Sequence, residues 1–197
     1  MLKLILNIVL ISYIFKQTKS QINLTRGNLE TVCSCNPMLL VYLQNKNISS
    51  IDSNTFNSLP TILSLLLNFN QITTIHPDTF KNLKSLNSLL LGNNQIKTIG
   101  SSTFNGLNSL EFLYLYNNEI NKIEEGLFKD LFKLKTLNLE SNKIISLSKN
   151  ALINSNNLFE VCLSDNPISI LFPSLLTSLC NNSIDLSCKV YLNIKCL

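Results

Sequence analysis

Asparagine recurs at a fixed interval of 24 residues through the middle of this chain. It lies in five similar segments, LSLLLNFNQI, NSLLLGNNQI, EFLYLYNNEI, KTLNLESNKI and FEVCLSDNPI, at positions Asn70, Asn94, Asn118, Asn142 and Asn166. A repeat of about 20 to 50 residues predicts a solenoid, in which each unit buries its apolar face against its neighbours. The period therefore predicts the architecture and directs the search for function to a surface.

Apolar residues keep the same period around each asparagine. Before it, leucine or valine alternates with other residues, which is the pattern of a strand that buries one face. Opposite the strands runs a column of phenylalanines, which we expect to form an aromatic spine in the core. The columns are Val41, Leu65, Leu89, Leu113, Leu137 and Val161; Leu43, Leu67, Leu91, Leu115, Leu139 and Leu163; and Phe56, Phe80, Phe104 and Phe128.

The combined pattern, L-x-x-L-x-L-x-x-N-x-I-x-x-I-x-x-x-x-F-x-x-L, resembles the typical 24-residue leucine-rich repeat of extracellular proteins over residues 38–171. Slit-, Toll- and small-proteoglycan-like ectodomains are of this type. The resemblance implies an α/β solenoid shaped as a horseshoe, with parallel strands on the concave side and irregular or short helical segments on the convex side. The recurrent asparagine is then structural, because its amide both donates and accepts hydrogen bonds where the chain leaves the strand.

Residues 1–20 have the features of a secretory signal peptide, with Lys3 near the start and an apolar stretch from Leu4 to Phe15. A retained signal anchor is the alternative, although the stretch is shorter than the roughly 20 residues of a membrane span. Removal of this segment takes three lysines and leaves 13 Lys and Arg against 12 Asp and Glu, so charge does not indicate nucleic-acid binding. We expect a secreted, extracellular protein with no transmembrane segment in the mature chain. Its oligomeric state is left open.

We divide the remaining chain into an N-terminal cap at 21–40, the repeats at 41–171 and a cysteine-containing C-terminal cap at 172–197. The repeats comprise about five full units and a sixth partial one. The placement of the cysteines resembles the caps of extracellular leucine-rich repeats, which implies disulfides at the ends of the core, with the pairing left open. The candidates are Cys33, Cys35, Cys162, Cys180, Cys188 and Cys196.

Other ligands and modifications are assigned from short motifs. Three sequons predict glycosylation in an extracellular compartment, at Asn23, Asn47 and Asn181. A zinc site in the cysteine cluster is the alternative to disulfides, but the chain has no Cys-x-x-Cys and its one histidine, His76, is remote in sequence. We expect neither a metal nor a cofactor.

The residues that alternate with the buried leucines should line the concave side. Over the first four strands they form an apolar and aromatic stripe, and over the last two they turn polar and acidic. Exposed apolar patches mark interaction sites, and tyrosine and phenylalanine are common anchors in them. We predict a partner-binding face that contains Tyr42, Leu66, Phe69, Leu90, Phe112, Tyr114, Tyr116, Asn138, Glu140 and Glu160. Alternatively, Leu66 and Leu90 are surface leucines without a role.

Catalysis is not indicated, because the sequence offers no nucleophile elbow, no glycine-rich phosphate loop and no carboxylate pair at catalytic spacing. We predict a non-enzymatic module that recognises an extracellular protein through the concave face, in a matrix, adhesion or signalling role. The alternatives are an innate immune module that binds a microbial ligand, an ectodomain fragment of a leucine-rich repeat receptor, and a passive structural role.

Overall fold

The computed structural model describes residues 21–29, 39–148, 150–152 and 157–168. Short strands within these ranges are β1 Ile22–Leu24, β2 Leu40–Tyr42, β3 Ile48–Ile51, β4 Ser64–Leu66, β5 Ser88–Leu90, β6 Phe112–Tyr114, β7 Thr136–Asn138 and β8 Glu160–Cys162. Several predictions lie outside the described residues: the signal peptide at 1–20, the whole C-terminal cap at 172–197, Cys33, Cys35, Cys180, Cys188, Cys196 and Asn181.

Six of these strands form one parallel sheet in the order β2-β4-β5-β6-β7-β8. Each residue pairs with the one 24 positions further on, as Leu65 does with Leu89 and Leu89 with Leu113, and the register does not shift between any two strands of this sheet. One strand per repeat, stacked in sequence order, confirms the predicted solenoid with parallel concave strands.

A second, two-stranded parallel sheet joins β1 to β3. It was not predicted. Its register shifts between Ile22 and Asn23, and Ile22 N donates to Asn47 O at 2.8 Å. The start of the described chain is thereby joined to the segment that follows β2.

The core lies between the six-stranded sheet and the connecting segments. The central residue of each strand and the leucine two positions later are at most 4% exposed. The four phenylalanines of the predicted spine are also buried, at 1% exposure or less. Their rings stack in two pairs, Phe56 with Phe80 at 6.2 Å between centroids and Phe104 with Phe128 at 6.1 Å.

The connections between strands are runs of tight turns. Leu83 N donates to Phe80 O and Leu86 N to Leu83 O, both at 3.0 Å, and the same pattern follows Phe104 in the next repeat. Each such bond joins residue i+3 to residue i and closes a turn of four residues, so the connections from β4 to β7 advance without a regular helix. The predicted irregular convex side is confirmed.

Each strand is followed by a sharp turn that an asparagine amide holds in place. Asn118 Nδ2 donates to Leu115 O of its own repeat and to Leu91 O of the preceding repeat, both at 3.0 Å. Its Oδ1 accepts from Ile96 N of the preceding repeat at 3.0 Å. The same bonds recur at Asn94 and Asn142, and these asparagines are only 7–8% exposed. We call Asn70, Asn94, Asn118, Asn142 and Asn166 the ladder asparagines, and each of them satisfies backbone groups of two repeats.

Candidate functional site

The register of the six-stranded sheet aligns its outward side chains into columns that run across the strands. The first column is Leu40, Ser64, Ser88, Phe112, Thr136 and Glu160, and the second is Tyr42, Leu66, Leu90, Tyr114, Asn138 and Cys162. Backbone bonds just past the strands, such as Phe69 N to Gly92 O at 3.1 Å, extend the alignment. The third column is Gln44, Asn68, Gly92, Tyr116, Glu140 and Ser164, and the fourth is Asn45, Phe69, Asn93, Asn117, Ser141 and Asp165. We call these four columns the concave face.

The structure brings the predicted apolar residues together on neighbouring strands. Tyr42, Leu66, Leu90 and Tyr114 are consecutive members of the second column, and strands in a sheet lie about 4.8 Å apart, so their side chains are neighbours. Tyr42 and Phe69 are exposed, while Leu66, Leu90, Phe112, Tyr114 and Tyr116 are half-buried. A continuous, partly solvated apolar surface therefore covers β2 to β6.

Tyr116 lies across the backbone of the preceding strand. A Cβ atom built on Gly92 would come within 2.6 Å of Tyr116 Cε1 and Cζ, so the ring occupies the space where a side chain at position 92 would stand. The lack of a side chain at position 92 is therefore what leaves room for the Tyr116 ring. Sequence reasoning missed this role, although Gly92 is the only glycine in the four outward columns.

Phe69 has an unusual backbone for its residue type. Every member of the fourth column has a left-handed conformation, with φ between 51° and 58°. The other members are asparagine, serine or aspartate, whose short polar side chains tolerate this region better than a bulky side chain does. Phe69 is nevertheless 49% exposed, so burial of its ring offsets little of that cost in the free protein.

The last two strands carry the acidic part of the face. Glu140 and Glu160 are half-buried and Asp165 is exposed. Thr136 Oγ1 donates to Glu160 Oε2 at 3.0 Å, and Ser141 Oγ donates to Asp165 Oδ2 at 3.4 Å. The pKa of Tyr114 is raised, first by burial and then by the negative charge of Glu160 and by Tyr116. Of the three carboxylates, Glu160 thus acts electrostatically on Tyr114.

Several outward positions expected to offer surface are buried. The exposed fractions are 9% for Asn68, 4% for Thr136, 1% for Cys162 and 8% for Ser164. Thr136 is a short side chain between the longer Phe112 and Glu160 in its column, which explains its burial. Asn138 stays half-buried, and its Oδ1 accepts from Glu140 N at 2.9 Å.

Two buried amide oxygens of the third column lack a hydrogen-bond donor. They are Gln44 Oε1 and Asn68 Oδ1, in residues that follow the adjacent strands β2 and β4. An unpaired buried acceptor costs about 1–3 kcal/mol. The first half of the concave face therefore holds unused hydrogen-bonding capacity beside its apolar side chains.

Other classes of site find no geometric support in the described ranges. Within them, no three His, Cys, Asp or Glu side chains are grouped as metal ligands. His76 Nδ1 accepts from Asp78 N at 3.1 Å, which is the geometry of a local turn. No helix in the part of the chain that the structure describes is both long and apolar enough to cross a bilayer.

The predicted glycosylation sites near the N-terminal end lie off the concave face. Asn23 is an exposed residue of β1, where its Oδ1 accepts from Ser50 Oγ at 2.9 Å. Asn47 precedes β3 and accepts through Oδ1 from Gln71 Nε2 at 2.5 Å. Neither residue belongs to the six-stranded sheet.

Comparisons with known proteins agree with this geometry. A family model described as leucine rich repeat matches residues 40–96, 62–120, 84–144 and 113–168. No curated protein sequence matches the chain.

Among solved structures, the chain is similar to the Drosophila Toll–Spatzle complex, with 25% identity and a TM-score of 0.65 over 71% of this chain and 18% of that one. The TLR13–ssRNA13 complex gives 29% identity and a TM-score of 0.65 over 78% and 22%. The leucine-rich repeat domain of APL1 gives 27% and 0.67 over 78% and 39%. The chain thus spans well under half the length of each of these proteins.

Proposed function

Because this chain belongs to the leucine-rich repeat family, we propose that it is a non-enzymatic module that binds an extracellular protein through its concave face. The observation that carries the proposal is the apolar and aromatic stripe on β2 to β6, which is continuous across neighbouring strands and partly open to solvent. Exposed patches of this kind mark interaction sites. The sheet that carries the stripe is preformed, so association requires little ordering of the backbone.

A protein partner fits the concave face better than a nucleic acid does. Structures similar to this chain include one complex with Spatzle and one with ssRNA13. Binding of a phosphate backbone depends on lysine and arginine. The four columns of the concave face contain three carboxylates and neither lysine nor arginine, so they would repel RNA.

We propose that the protein is secreted, with residues 1–20 removed, caps at 21–40 and 172–197 and repeats at 41–171. Disulfides in an extracellular compartment would close the ends of the solenoid. In support, Cys162 is disulfide-bonded, and its partner lies outside the described residues. Glycans at Asn23 and Asn47 would leave the six-stranded sheet bare, because both residues lie outside it.

The proposal is tested by a screen of the secreted, tagged protein against extracellular proteins and microbial surface ligands. A Phe112→Glu/Tyr114→Glu variant is run beside it, with folding checked by circular dichroism. Phe132→Glu is the matched control, because Phe132 is 49% exposed in the connection before β7, off the concave face. We expect the double variant to lose a partner that the control retains. Equal binding by all three proteins would place the site elsewhere or favour a passive structural role.

An innate immune role is the second candidate, and the similarity to the Toll and TLR13 structures favours it. It predicts that the partner comes from the microbial arm of the screen. Because the chain spans only part of those relatives, it is also compatible with an ectodomain portion of a receptor. Sequencing of its transcripts tests that possibility by showing whether a membrane span follows the repeats.

A further inference from the structure

The chemistry of the concave face changes between β5 and β6. The stretches 39–45, 63–69 and 87–93 contain β2, β4 and β5 and hold no charged residue, whereas 111–117, 135–141 and 159–165 each hold at least one. We call the outward side chains of the first three stretches the neutral patch. A charged side chain of a partner would lose hydration there without meeting an opposite charge, so the neutral patch disfavours charged segments.

Exposed apolar side chains are concentrated on the neutral patch. Eight large apolar side chains are exposed within the described residues, and five of these are Leu39, Leu40, Tyr42, Leu63 and Phe69. Backbone bonds such as Leu63 N to Leu39 O at 2.8 Å align the stretches, so the five side chains belong to adjacent repeats. Burial of this apolar area against a partner would stabilise a complex.

The backbone of Phe69 gives an independent indication of binding. Its φ of 58° lies in the left-handed region, and its side chain is 49% exposed. Residues held in such sparsely populated conformations cluster at binding sites, where the cost in stability is offset by function. The Phe69 ring therefore has more to gain from a complex than from folding.

A row of hydrogen-bond acceptors lies beside the apolar row. The second column of the concave face begins with Tyr42, Leu66 and Leu90, and the third column next to it begins with Gln44 and Asn68. The oxygens Gln44 Oε1 and Asn68 Oδ1 are buried without a donor, and Asn68 is only 9% exposed. Buried polar groups are normally paired, so this pair of oxygens is matched to a donor from outside the chain.

On the basis of the proposed function, we propose that the neutral patch binds an uncharged apolar segment of the partner, extended across β2, β4 and β5. Its apolar side chains pack on the second column and on Phe69. The amides of Gln44 and Asn68 rotate toward it, and their oxygens accept its backbone N–H groups. The two intervals between the three strands span about 10 Å, which three extended residues cover. Recognition therefore requires about three consecutive residues without Asp, Glu, Lys or Arg.

The first test is a selection of phage-displayed random 12-residue peptides on the immobilised secreted protein, with a parallel selection on Phe69→Asn. We expect the parent to enrich peptides that share a short aliphatic or aromatic core without charged residues, and the variant not to enrich them. A charged residue within the shared core, equal enrichment on the variant, or no enrichment would overturn the inference.

One enriched peptide is then synthesised and titrated against variants of the protein. Phe69→Asn and Tyr42→Ser should each weaken its binding about tenfold, because each removes an exposed aromatic ring from the neutral patch. Phe132→Asn is the matched control, since Phe132 is also 49% exposed but lies in the connection before β7. Circular dichroism checks that all three variants are folded. Affinity equal to that of the control, for either variant, would contradict the placement of the segment.

The amide oxygens are tested separately. Asn68→Leu keeps the approximate size of the side chain and removes the acceptor, so it should weaken the peptide about three- to tenfold. Its midpoint of urea unfolding should not fall, because the oxygen has no partner in the free protein. Asn105→Leu is the matched control, since Asn105 Oδ1 is also buried without a donor but lies in the connection before β6. Unchanged affinity of Asn68→Leu would overturn the hydrogen-bonded arrangement.

Salt and oligomeric state separate this partner from two others. Raising NaCl from about 0.1 M to about 1 M should not weaken the peptide, because no ion pair is screened. A clear loss of affinity would show that charged contacts hold the segment. Sedimentation of the parent and of Phe69→Asn should give the same oligomeric state. A dimer that Phe69→Asn dissociates would assign the neutral patch to a second copy of the chain and overturn the inference.

The failure of the inference is distinguishable from the failure of the proposed function. A protein partner that is lost by Phe112→Glu/Tyr114→Glu but retained by both Phe69→Asn and Tyr42→Ser would support binding through the concave face. It would at the same time overturn the uncharged segment on the neutral patch.

Discussion

At the scale of single residues, the turn that follows each strand has the same left-handed backbone in every repeat. Phe69 is the one member of the fourth column that is not a small polar residue. The fourth column is left-handed throughout, and Phe69 has φ of 58° where three other positions hold asparagine. Left-handed backbone costs about 1–2 kcal/mol for residues other than glycine and is tolerated best by asparagine and aspartate. Phe69 therefore lowers the stability of the free protein while it adds an exposed aromatic ring to the concave face.

Phe69→Asn should raise the free energy of unfolding by about 0.5–1 kcal/mol, because asparagine fits the left-handed backbone. The same change should weaken binding to the concave face, because it removes an exposed aromatic anchor. Urea denaturation measures the change in stability, and titration of the partner found in the screen measures the change in binding. The reciprocal change, Asn93→Phe, is the control and should destabilise. A loss of stability in Phe69→Asn would mean that ring packing outweighs the backbone strain.

Asn118→Ala should destabilise the protein by about 1–3 kcal/mol, because it leaves Ile96 N without its buried acceptor. Leu91 O and Leu115 O each lose one of two amide donors and keep the other, from Asn94 and Asn142. Chemical denaturation measures the change. Asn121→Ala is the matched control, because Asn121 is exposed, and it should stay within about 0.5 kcal/mol of the parent. Similar effects of the two changes would contradict a structural role of the ladder.

Gly92→Ala should weaken binding more than it weakens folding. The new Cβ would meet the Tyr116 ring at 2.6 Å, and the half-buried ring can turn toward solvent. We expect a loss of less than about 1 kcal/mol in stability, below the usual cost of overpacking a closed core. Gly92→Ala/Tyr116→Ser should recover that stability without recovering binding. Unchanged affinity of Gly92→Ala for the partner found in the screen would show that the position of the Tyr116 ring does not matter for binding.

At the scale of elements, neighbouring repeats are joined by the same contacts at intervals of 24 residues. Lys135 Nζ donates to Glu111 Oε2 at 2.7 Å and Lys143 Nζ to Glu119 Oε2 at 2.8 Å. The hydrogen bond from each lysine lowers the pKa of its glutamate. These pairs lie at the surface, so they adjust stability slightly in comparison with the buried leucines.

The lowered pKa values of Glu111 and Glu119 fix the sign of a pH dependence. Their contribution to stability is present above the unfolded pKa, near 4.5, and is lost as pH falls through the lower folded value. Glu111→Gln/Glu119→Gln should therefore lose less stability than the parent between neutral pH and the region below 4.5. Thermal melts at a series of pH values measure this, with Glu124→Gln as the control. Parallel curves would contradict the assignment.

The strands and the core were predictable from the sequence because every repeat carries the same pattern of apolar residues. Leu65, Leu89 and Leu113 occupy one column, so a period-two pattern that would be weak in one strand is confirmed several times over. The two-stranded sheet of β1 and β3 was not predictable, because Ile22–Leu24 lies outside the repeat and pairs through a shifted register.

The candidate site was predictable as a set of positions but not as a surface. Alternation identified Tyr116 and Thr136 as outward residues, yet one lies over a neighbouring glycine and the other is covered. Both outcomes depend on the size of side chains in the adjacent repeats, which a pattern within one repeat does not contain. The left-handed backbone at Phe69 was likewise not predicted, because phenylalanine does not favour this conformation. Only the asparagines at the equivalent positions of other repeats indicate it.

At the scale of the whole molecule, the length of the concave face depends on the number of stacked strands. Each strand adds about 4.8 Å to the six-stranded sheet, and the apolar and aromatic stripe covers four of them, β2, β4, β5 and β6. The length of the stripe is therefore set by the number of repeats that carry it.

The unshifted register of the six-stranded sheet has a consequence for heredity. Recombination between neighbouring repeats of the gene would add or remove a whole repeat in frame, and every ladder asparagine would still meet a neighbour of the same form. Such a mutation lengthens or shortens the concave face by one strand, while the contacts between neighbouring repeats stay the same. A change in the copy number of a repeat can therefore change which ligands fit the surface, because the surface changes length while each repeat keeps its own contacts.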